Sequence, residues 1–521
     1  MLVEKGKSIE VELPQTIKQI FNPNSKFYIQ NAELRVQEGE GITISEDKSK
    51  IIINTENLDV GAKTANLIIE NNDYSGKLSG TTVDVNYRIF IPADKTQEVQ
   101  FKSEELKKYM SENYDIDKDG KITPYDMAQI TELDIRYIDN NIDLTGLEKC
   151  ISLKKLLMRK TTNYDVLKNL SNLETVQIEF LEDLSELTKL KNIPNLKKLI
   201  FELYSEKFDI SQLPTQIEEL SVQAYHLNLT PLTNFKNLKK LSISGSEEEI
   251  KGLDVINQIS TLKKLEITNC QSLRDIEFLR DNDSIENLNI SNNKIEDITP
   301  VTTMKKLQKL ECYGNNIQDI SVLENTTLIC ENSDLRQELK IQDVVVEKGK
   351  SIEIDLPQTV KTALSSNSKF YVPNATLEVT DNQNVSVSAD NTKIIIDATN
   401  DDIGEKKAYI TVKSDSSWGN LIYTRIELQY RVVILADDNQ EIQFNSETLK
   451  NYLLNCYDAN KDKKITAYDM AQITELDLTN FGSSEMIDLQ GLEYATSLQG
   501  LATINVTNLQ ALSNLSQLKK I

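Results

Sequence analysis

Nine times between Ile130 and Cys312 the chain returns to the pattern LxxLxL, with starts at Ile130, Leu153, Leu173, Leu196, Ile217, Leu238, Leu262, Ile285 and Leu307. Each start falls 20 to 24 residues after the last. A unit that short holds one strand and one return segment and cannot bury its own leucines. The units must therefore stack strand beside strand into a leucine-rich solenoid with a shared core. Two of them, LNISNNKIEDITPV and LECYGNNIQDISVL, carry the full pattern, with Asn293 and Asn315 where a buried asparagine ladder belongs. Cys270 stands at the same place one repeat earlier, whereas repeats two to six lack the asparagine, which predicts an uneven arc.

A stack of this kind exposes apolar side chains at its first turn unless something caps it. Immediately upstream, FKSEELKKYMSENY reads as an amphipathic helix with Ser103 as its N-cap. It leads into YDIDKDGKITPYD, which has the spacing of an EF-hand loop. Asp115, Asp117 and Asp119 fall at positions 1, 3 and 5, and Gly120 at 6. The backbone of Lys121 falls at 7, Thr123 at 9 and Asp126 at 12. Alternate residues of such a turn point their oxygens inward, and the four carboxylates repel one another without a hard cation such as calcium. Asp at position 12 is one methylene shorter than the usual Glu, which predicts weaker or differently arranged binding. Thr123, Pro124 and Asp126 also read as N-cap, N1 and N3 of a following helix. An Asp-rich turn that caps a helix without metal is the alternative reading.

This order then repeats. Val3 returns as Val346 and Asp115 as Asp458, a common offset of 343. The second loop, YDANKDKKITAYD, would bind through Asp458, Asn460, Asp462, the backbone of Lys464, Thr466 and Asp469. Lys463 replaces the glycine there, and a left-handed non-glycine residue costs on the order of 1 kcal/mol. The first loop is therefore expected to bind calcium more tightly. Each copy opens with about seven β-like segments, in the first copy SIEVEL, KFYIQ, AELRVQ, GITIS, KIIIN, ANLIIE and TTVDVNYRIFI. That count suggests an Ig-like β-sandwich, on strand number alone, since no Cys…Trp…Cys signature is present.

The expected architecture is thus multidomain, with a truncated second copy. It comprises an Ig-like β-sandwich (1–98), a helical cap with an EF-hand-like loop (99–129) and leucine-rich repeats (130–338). A second sandwich (339–441), a second cap (442–472) and further repeats (473–521) follow. The abrupt opening and the stop inside a repeat read as a piece of a longer chain.

With 81 acidic against 58 basic residues and a net charge of −23, the chain is a poor match for nucleic acid or an anionic membrane. No apolar run reaches the roughly eighteen residues of a membrane span, and no signal peptide opens the sequence. Five scattered cysteines without CxxC spacing make neither a disulfide framework nor a zinc site. The single histidine, His226, excludes most His-dependent nucleophilic and metal chemistry. With no phosphate loop or paired-acid cleft either, the chain reads as non-catalytic.

The stretch SEELKKYMSENYDIDKDGKITPYDMAQITELDI, followed by IDLTGLEKCISLKKL, resembles the cap and first repeats of bacterial internalin-like surface proteins. The DITPV and DISVL turns add to the likeness, which covers about 100–335 and again 443–521. The loop is similar to that of dockerin modules, which also place Asp at position 12. A dockerin holds two such loops close together, however, and their 343-residue separation here argues against cohesin binding. The resemblance implies an extracellular or cell-surface protein whose repeats contact a protein or glycan, with Ig-like domains beside them.

Within LxxLxLxx, alternation along a strand sends the third, fifth and seventh residues, and by the same reading the eighth, to the open face. That face would carry a lysine column (Lys155, Lys198, Lys240, Lys264, Lys309) and the candidate ligand contacts Tyr137, Leu157, Arg159, Phe180, Ile200, Leu203 and Tyr313. The plainer alternative is that the lysines only keep the strands soluble. The function expected is binding or adhesion. The rivals are an accessory arm of a larger extracellular enzyme and a structural stalk, and the sequence leaves the oligomeric state open.

Overall fold

The computed structural model describes residues 1–70, 80–138, 141–181, 185–203, 209–224, 226–246, 249–328, 334–416, 419–481 and 486–521; Cys330 lies outside them. The chain forms two compact units, one of residues 1–272 with 283–286 and the other of residues 273–282 with 287–521.

The first unit begins with two facing sheets. Strand Leu2–Glu4 pairs in parallel with Thr82–Phe90, which continues antiparallel to Gly61–Glu70 and then Glu33–Glu38. The other sheet is Ser8–Glu12, Lys50–Asn54 and Ile42–Ile44. Ile51 and Ile53 from one sheet meet Leu67, Ile69 and Ile89 from the other in a single core. Seven strands form the sandwich, but not the seven expected. KFYIQ is not a strand: Phe27 and Tyr28 are exposed and only Ile29 is buried. Its place is taken by Leu2–Glu4, and the chain after Pro14 forms a helix, Gln15–Phe21, which buries Ile17 and Ile20 one turn apart. Proline fixes the backbone entering that turn, and three apolar residues in seven are too few to reveal a helical period.

Farther along, seven strands follow one another in chain order, each parallel to the last. They are Glu132–Asp134, Lys155–Arg159, Thr175–Glu179, Lys198–Leu203, Glu219–Ala224, Lys240–Ser244 and Lys264–Thr268. In register, Leu133, Leu156, Val176, Leu199, Leu220, Leu241 and Leu265 form a ladder of fully buried side chains. Most return segments carry short 3-10 turns such as Tyr164–Asn169 and Leu253–Gln258. The period in the sequence is the period of this ladder.

The second unit holds two more strands of the same kind, Asn287–Asn289 and Lys309–Glu311, paired in parallel. Asn293 and Asn315 are buried as the ladder requires, and Asn315 Nδ2 donates to the carbonyls of Ile290 and Cys312 at 2.9 Å. One rung farther on, Gln337 takes over: its amide donates to Cys312 O at 3.1 Å and accepts from Ile317 N at 3.3 Å. A second sandwich follows with the topology of the first, Glu338–Glu347, Arg425–Val433, Gly404–Lys413 and Thr376–Thr380 facing Ser351–Asp355, Lys393–Asp397 and Val385–Val387. Its helix, Gln358–Leu364, is fastened to the last repeat by Thr359, whose hydroxyl donates to Ile317 O at 2.7 Å and accepts from Ile320 N at 3.0 Å.

Candidate functional site

The cap of the first unit is helix Glu104–Tyr114, the acidic loop, and helix Pro124–Ala128. Ser103 caps the first helix by accepting from Leu106 N at 3.1 Å. Leu106 and Met110 are fully buried, and Tyr109 donates its hydroxyl to Asp134 O on the first repeat strand at 2.8 Å. Phe101 lies against Gly146 of that repeat so closely that a Cβ there would sit 2.7 Å from the ring. Position 8 of the loop, Ile122, is buried, and its carbonyl accepts from Val99 N at 2.8 Å. The loop is thus stitched to the chain before it and joined to the strand after it.

Within the loop, Asp126 is wholly buried. Its Oδ1 accepts from Ile116 N at 3.0 Å, and its Oδ2 from the amide and hydroxyl of Thr123 at 3.0 and 2.6 Å. Thr123 therefore spends its hydroxyl on the capping box. Asp115, Asp117 and Asp126 converge, with one carboxylate oxygen of each within 4.8 Å of the others. Asp119 is outside that trio and accepts from the Lys121 amide at 2.9 Å. Asp115 Oδ2 accepts from Gly120 N at 2.8 Å, while its Oδ1 is buried with no donor among the described residues. An all-oxygen donor set with one desolvated, unpartnered carboxylate oxygen fits a hard divalent cation. Lys95, from the linker, stands 3.4 Å from Asp117 and lies over the Tyr125 ring at 3.7 Å.

In the second unit the frame of the loop is the same. Asp469 is buried and accepts from Ala459 N at 2.9 Å and from Thr466 N and Oγ1 at 2.8 and 2.7 Å. Ile442 N donates to Ile465 O at 2.8 Å. Lys463 is left-handed at φ 67°, as expected from the glycine it replaces. Asp458 accepts from Asp462 N and Lys463 N at 3.2 and 2.8 Å, and Asp462 from Lys464 N at 2.8 Å. Asn460 stands where the first loop has Asp117, so no trio of carboxylates forms here among the described residues. Where the first unit has Lys95, the second has Asp438, whose Oδ1 accepts from Asn460 Nδ2 at 3.0 Å and lies 3.2 Å from Thr466 Oγ1. Neither linker residue was singled out in the sequence, although superposing the copies at offset 343 aligns them. The same holds for Gln129 and Gln472, whose amides clamp the linker backbone at Ile91 and Ile434.

On the strand face of the first unit, Tyr137 is 82% exposed and Phe180 36%, while Leu157, Arg159 and Ile200 are half-buried. Leu203 does not belong there: it is 1% exposed and inside the core. The strand Lys198–Leu203 runs one residue longer than Thr175–Glu179, so Leu203 keeps the inward side of the alternation. Phe180 instead leaves its strand at φ 52° and turns outward. Arg136 lies over Tyr137 at 5.5 Å and Arg159 over Phe180 at 4.4 Å. Tyr313, in the second unit, is half-buried beneath Arg336 at 5.7 Å.

The lysines of this face are ion-paired: Lys155 with Glu132 (3.5 Å), Lys198 with Glu219 (2.8 Å), and Lys240 and Lys264 with Glu266 (3.1 and 2.8 Å). In the second unit Lys309 pairs with Glu311. Arg136 binds Asp134 at 2.8 Å and Glu179 at 2.9 Å, and its guanidinium holds the Asp134 carboxyl below the usual carboxylate range. A cleft of about 790 Å³ in the second unit, between the strand Glu338–Glu347 and residues 459–461, has Lys406, Lys407 and Arg431 in its walls. These pair with Asp401, Glu427 and Glu405.

Residues 283–325 match the family described as Leucine Rich repeats, in two copies. No curated protein sequence matches the chain. Among solved structures, the chain is similar to InlP of Listeria monocytogenes, with 16% identity over 64% of this chain and 96% of that one, at a TM-score of 0.42. It is likewise similar to the internalin InlF of Listeria monocytogenes, with 18% identity over 82% of this chain and 98% of that one, at a TM-score of 0.37. At these TM-scores neither likeness adds to the geometry above. No helix among the described residues is long and apolar enough to cross a membrane.

Proposed function

We propose that the chain is a non-catalytic, internalin-like binding protein of the bacterial surface or its surroundings, which contacts a protein or glycan through the strand face of its repeats. The observation that carries this reading is the group of exposed side chains on the first repeats, where Tyr137 and Phe180 stand out from the strands with arginines over their rings. Aromatic residues and arginine are enriched in binding hot spots, where they fill well-packed, desolvated pockets. Calcium, held by Asp115, Asp117 and Asp126, orders the cap and performs no chemistry. The second loop holds it more weakly.

A structural stalk is the second reading, favoured by the ion-paired lysines, which leave most of the face neutral. The two part on one experiment. The fluorescently labelled chain is applied to cultured epithelial cells and immobilised matrix proteins, beside a variant carrying Tyr137→Ser, Leu157→Ser and Phe180→Ser with an unchanged melting temperature. Loss of binding in the variant supports the contact face. Undiminished binding, or none by either protein, favours the stalk.

A further inference from the structure

Resting on that reading of the strand face, we infer that Arg159 is the anchor of a subsite for a carboxylate side chain of a partner protein. The argument begins with what Arg159 lacks. Every other cationic residue named on this face has an acidic partner, but Arg159 makes no ion pair among the described residues. Register places Glu179 directly across from it on the neighbouring strand. Arg136, reaching from the strand on the other side, takes that carboxylate at 2.9 Å, and Gln177 adds a bond at 3.3 Å. The acid that would neutralise Arg159 within the fold is therefore engaged elsewhere.

What Arg159 does have is orientation. Its guanidinium lies over the Phe180 ring at 4.4 Å, and that ring is held outward by the left-handed backbone of Phe180. Its Nε is buried and has no hydrogen-bond partner among the described residues. A half-buried, stacked and planar cation with no acid of the fold beside it is left to be neutralised by an acceptor from outside. The ligand that matches a fixed guanidinium edge is a carboxylate, which takes two parallel N–H bonds. The flanks decide between a protein and an acidic sugar. Leu157 is next along the face on the same strand, and Gln177 lies in register between it and Ile200. Two aliphatic side chains and one aromatic ring suit an apolar residue beside an Asp or Glu, whereas a sugar brings hydroxyls that these groups cannot satisfy.

The test uses the intact chain and a display library of random twelve-residue peptides. Selected clones are expected to place Asp or Glu beside an aliphatic or aromatic residue. Their affinity should fall about ten- to hundredfold for Arg159→Gln, the scale of a hydrogen-bonded charge. Replacing the acid of the peptide by its amide should cost the same on the unmutated chain and nothing further on Arg159→Gln. Arg159→Lys, which keeps the charge and loses the fork, should rescue only part. Clones that need Leu157 and Phe180 but ignore both Arg159→Gln and the amide would overturn the carboxylate subsite and leave the contact face standing. Clones indifferent to Leu157→Ser with Phe180→Ser, or neither a selected peptide nor a bound glycan, would overturn both. Binding of sialylated glycans that is lost in Arg159→Gln, with no peptide selected, would overturn the assignment to a protein.

Discussion

The two acidic loops share a frame and differ in what the frame holds. In both, a buried aspartate at the twelfth position closes a capping box and accepts a third bond from the second loop residue. In both, the eighth residue is paired to the linker backbone. Among the described residues, only in the first do three carboxylates converge, and one of them, Asp115, has a buried oxygen with no donor. The linker then acts oppositely in the two: Lys95 brings a cation to Asp117, and Asp438 brings an anion to Asn460 and Thr466. The cap fold is therefore specified by backbone satisfaction, and the proposed ion binding would depend on side chains laid over it, some from outside the loop.

The largest effect expected is on the shared frame. Asp126→Ala and Asp469→Ala each strand two backbone amides at a buried site, at about 3 kcal/mol of local stability. Hydrogen exchange of the cap amides in calcium-free buffer reads this, and equal losses in the two copies are expected. No loss in either copy without calcium, followed by a loss in the first copy once calcium is added, would mean that the aspartate serves the ion and not the fold.

Next comes the linker. Removing the internal cation with Lys95→Ala should tighten calcium binding at the first loop, and Asp438→Asn should weaken it at the second. Both groups are partly exposed to screening solvent, so each change should be roughly three- to tenfold by calorimetric titration. No change in either would reduce the Lys95 and Asp438 contacts to surface decoration.

Smallest is the glycine exchange. Lys463→Gly should stabilise the second cap by about 1 kcal/mol, because only the left-handed backbone is at issue. The reverse change, Gly120→Lys, should cost the first cap the same amount: a Cβ there meets nothing within 4 Å. Thermal unfolding of the two variants checks this, and unequal and opposite shifts would indicate a steric cause.

Much of this was legible before any coordinates. A long period repeated nine times is a statement about stacking, and the buried ladder from Leu133 to Leu265 is its physical content. The caps at Ser103 and Thr123 could be read because an N-cap needs only local sequence. What failed depended on neighbours distant in the chain. The helix Gln15–Phe21 is two turns long and rests on strands from elsewhere, so its period was invisible. Leu203 points inward because its strand runs one residue longer than the one beside it, which no repeat consensus encodes. Gln337 completes the asparagine ladder from beyond the last repeat, where no leucine pattern points to it. Arg159 differs from the other cations of its face only because Arg136 reaches Glu179 first.

The most direct measurement is a calorimetric titration of calcium into the calcium-stripped chain, repeated on a variant carrying Asp115→Ala and Asp117→Ala, with melting curves taken in parallel. The expected result is a tight binding event and a rise in melting temperature, both lost in the double variant. No heat from the unmutated chain, or a tight event that survives the double substitution, would contradict the assignment of the converging carboxylates to the ion.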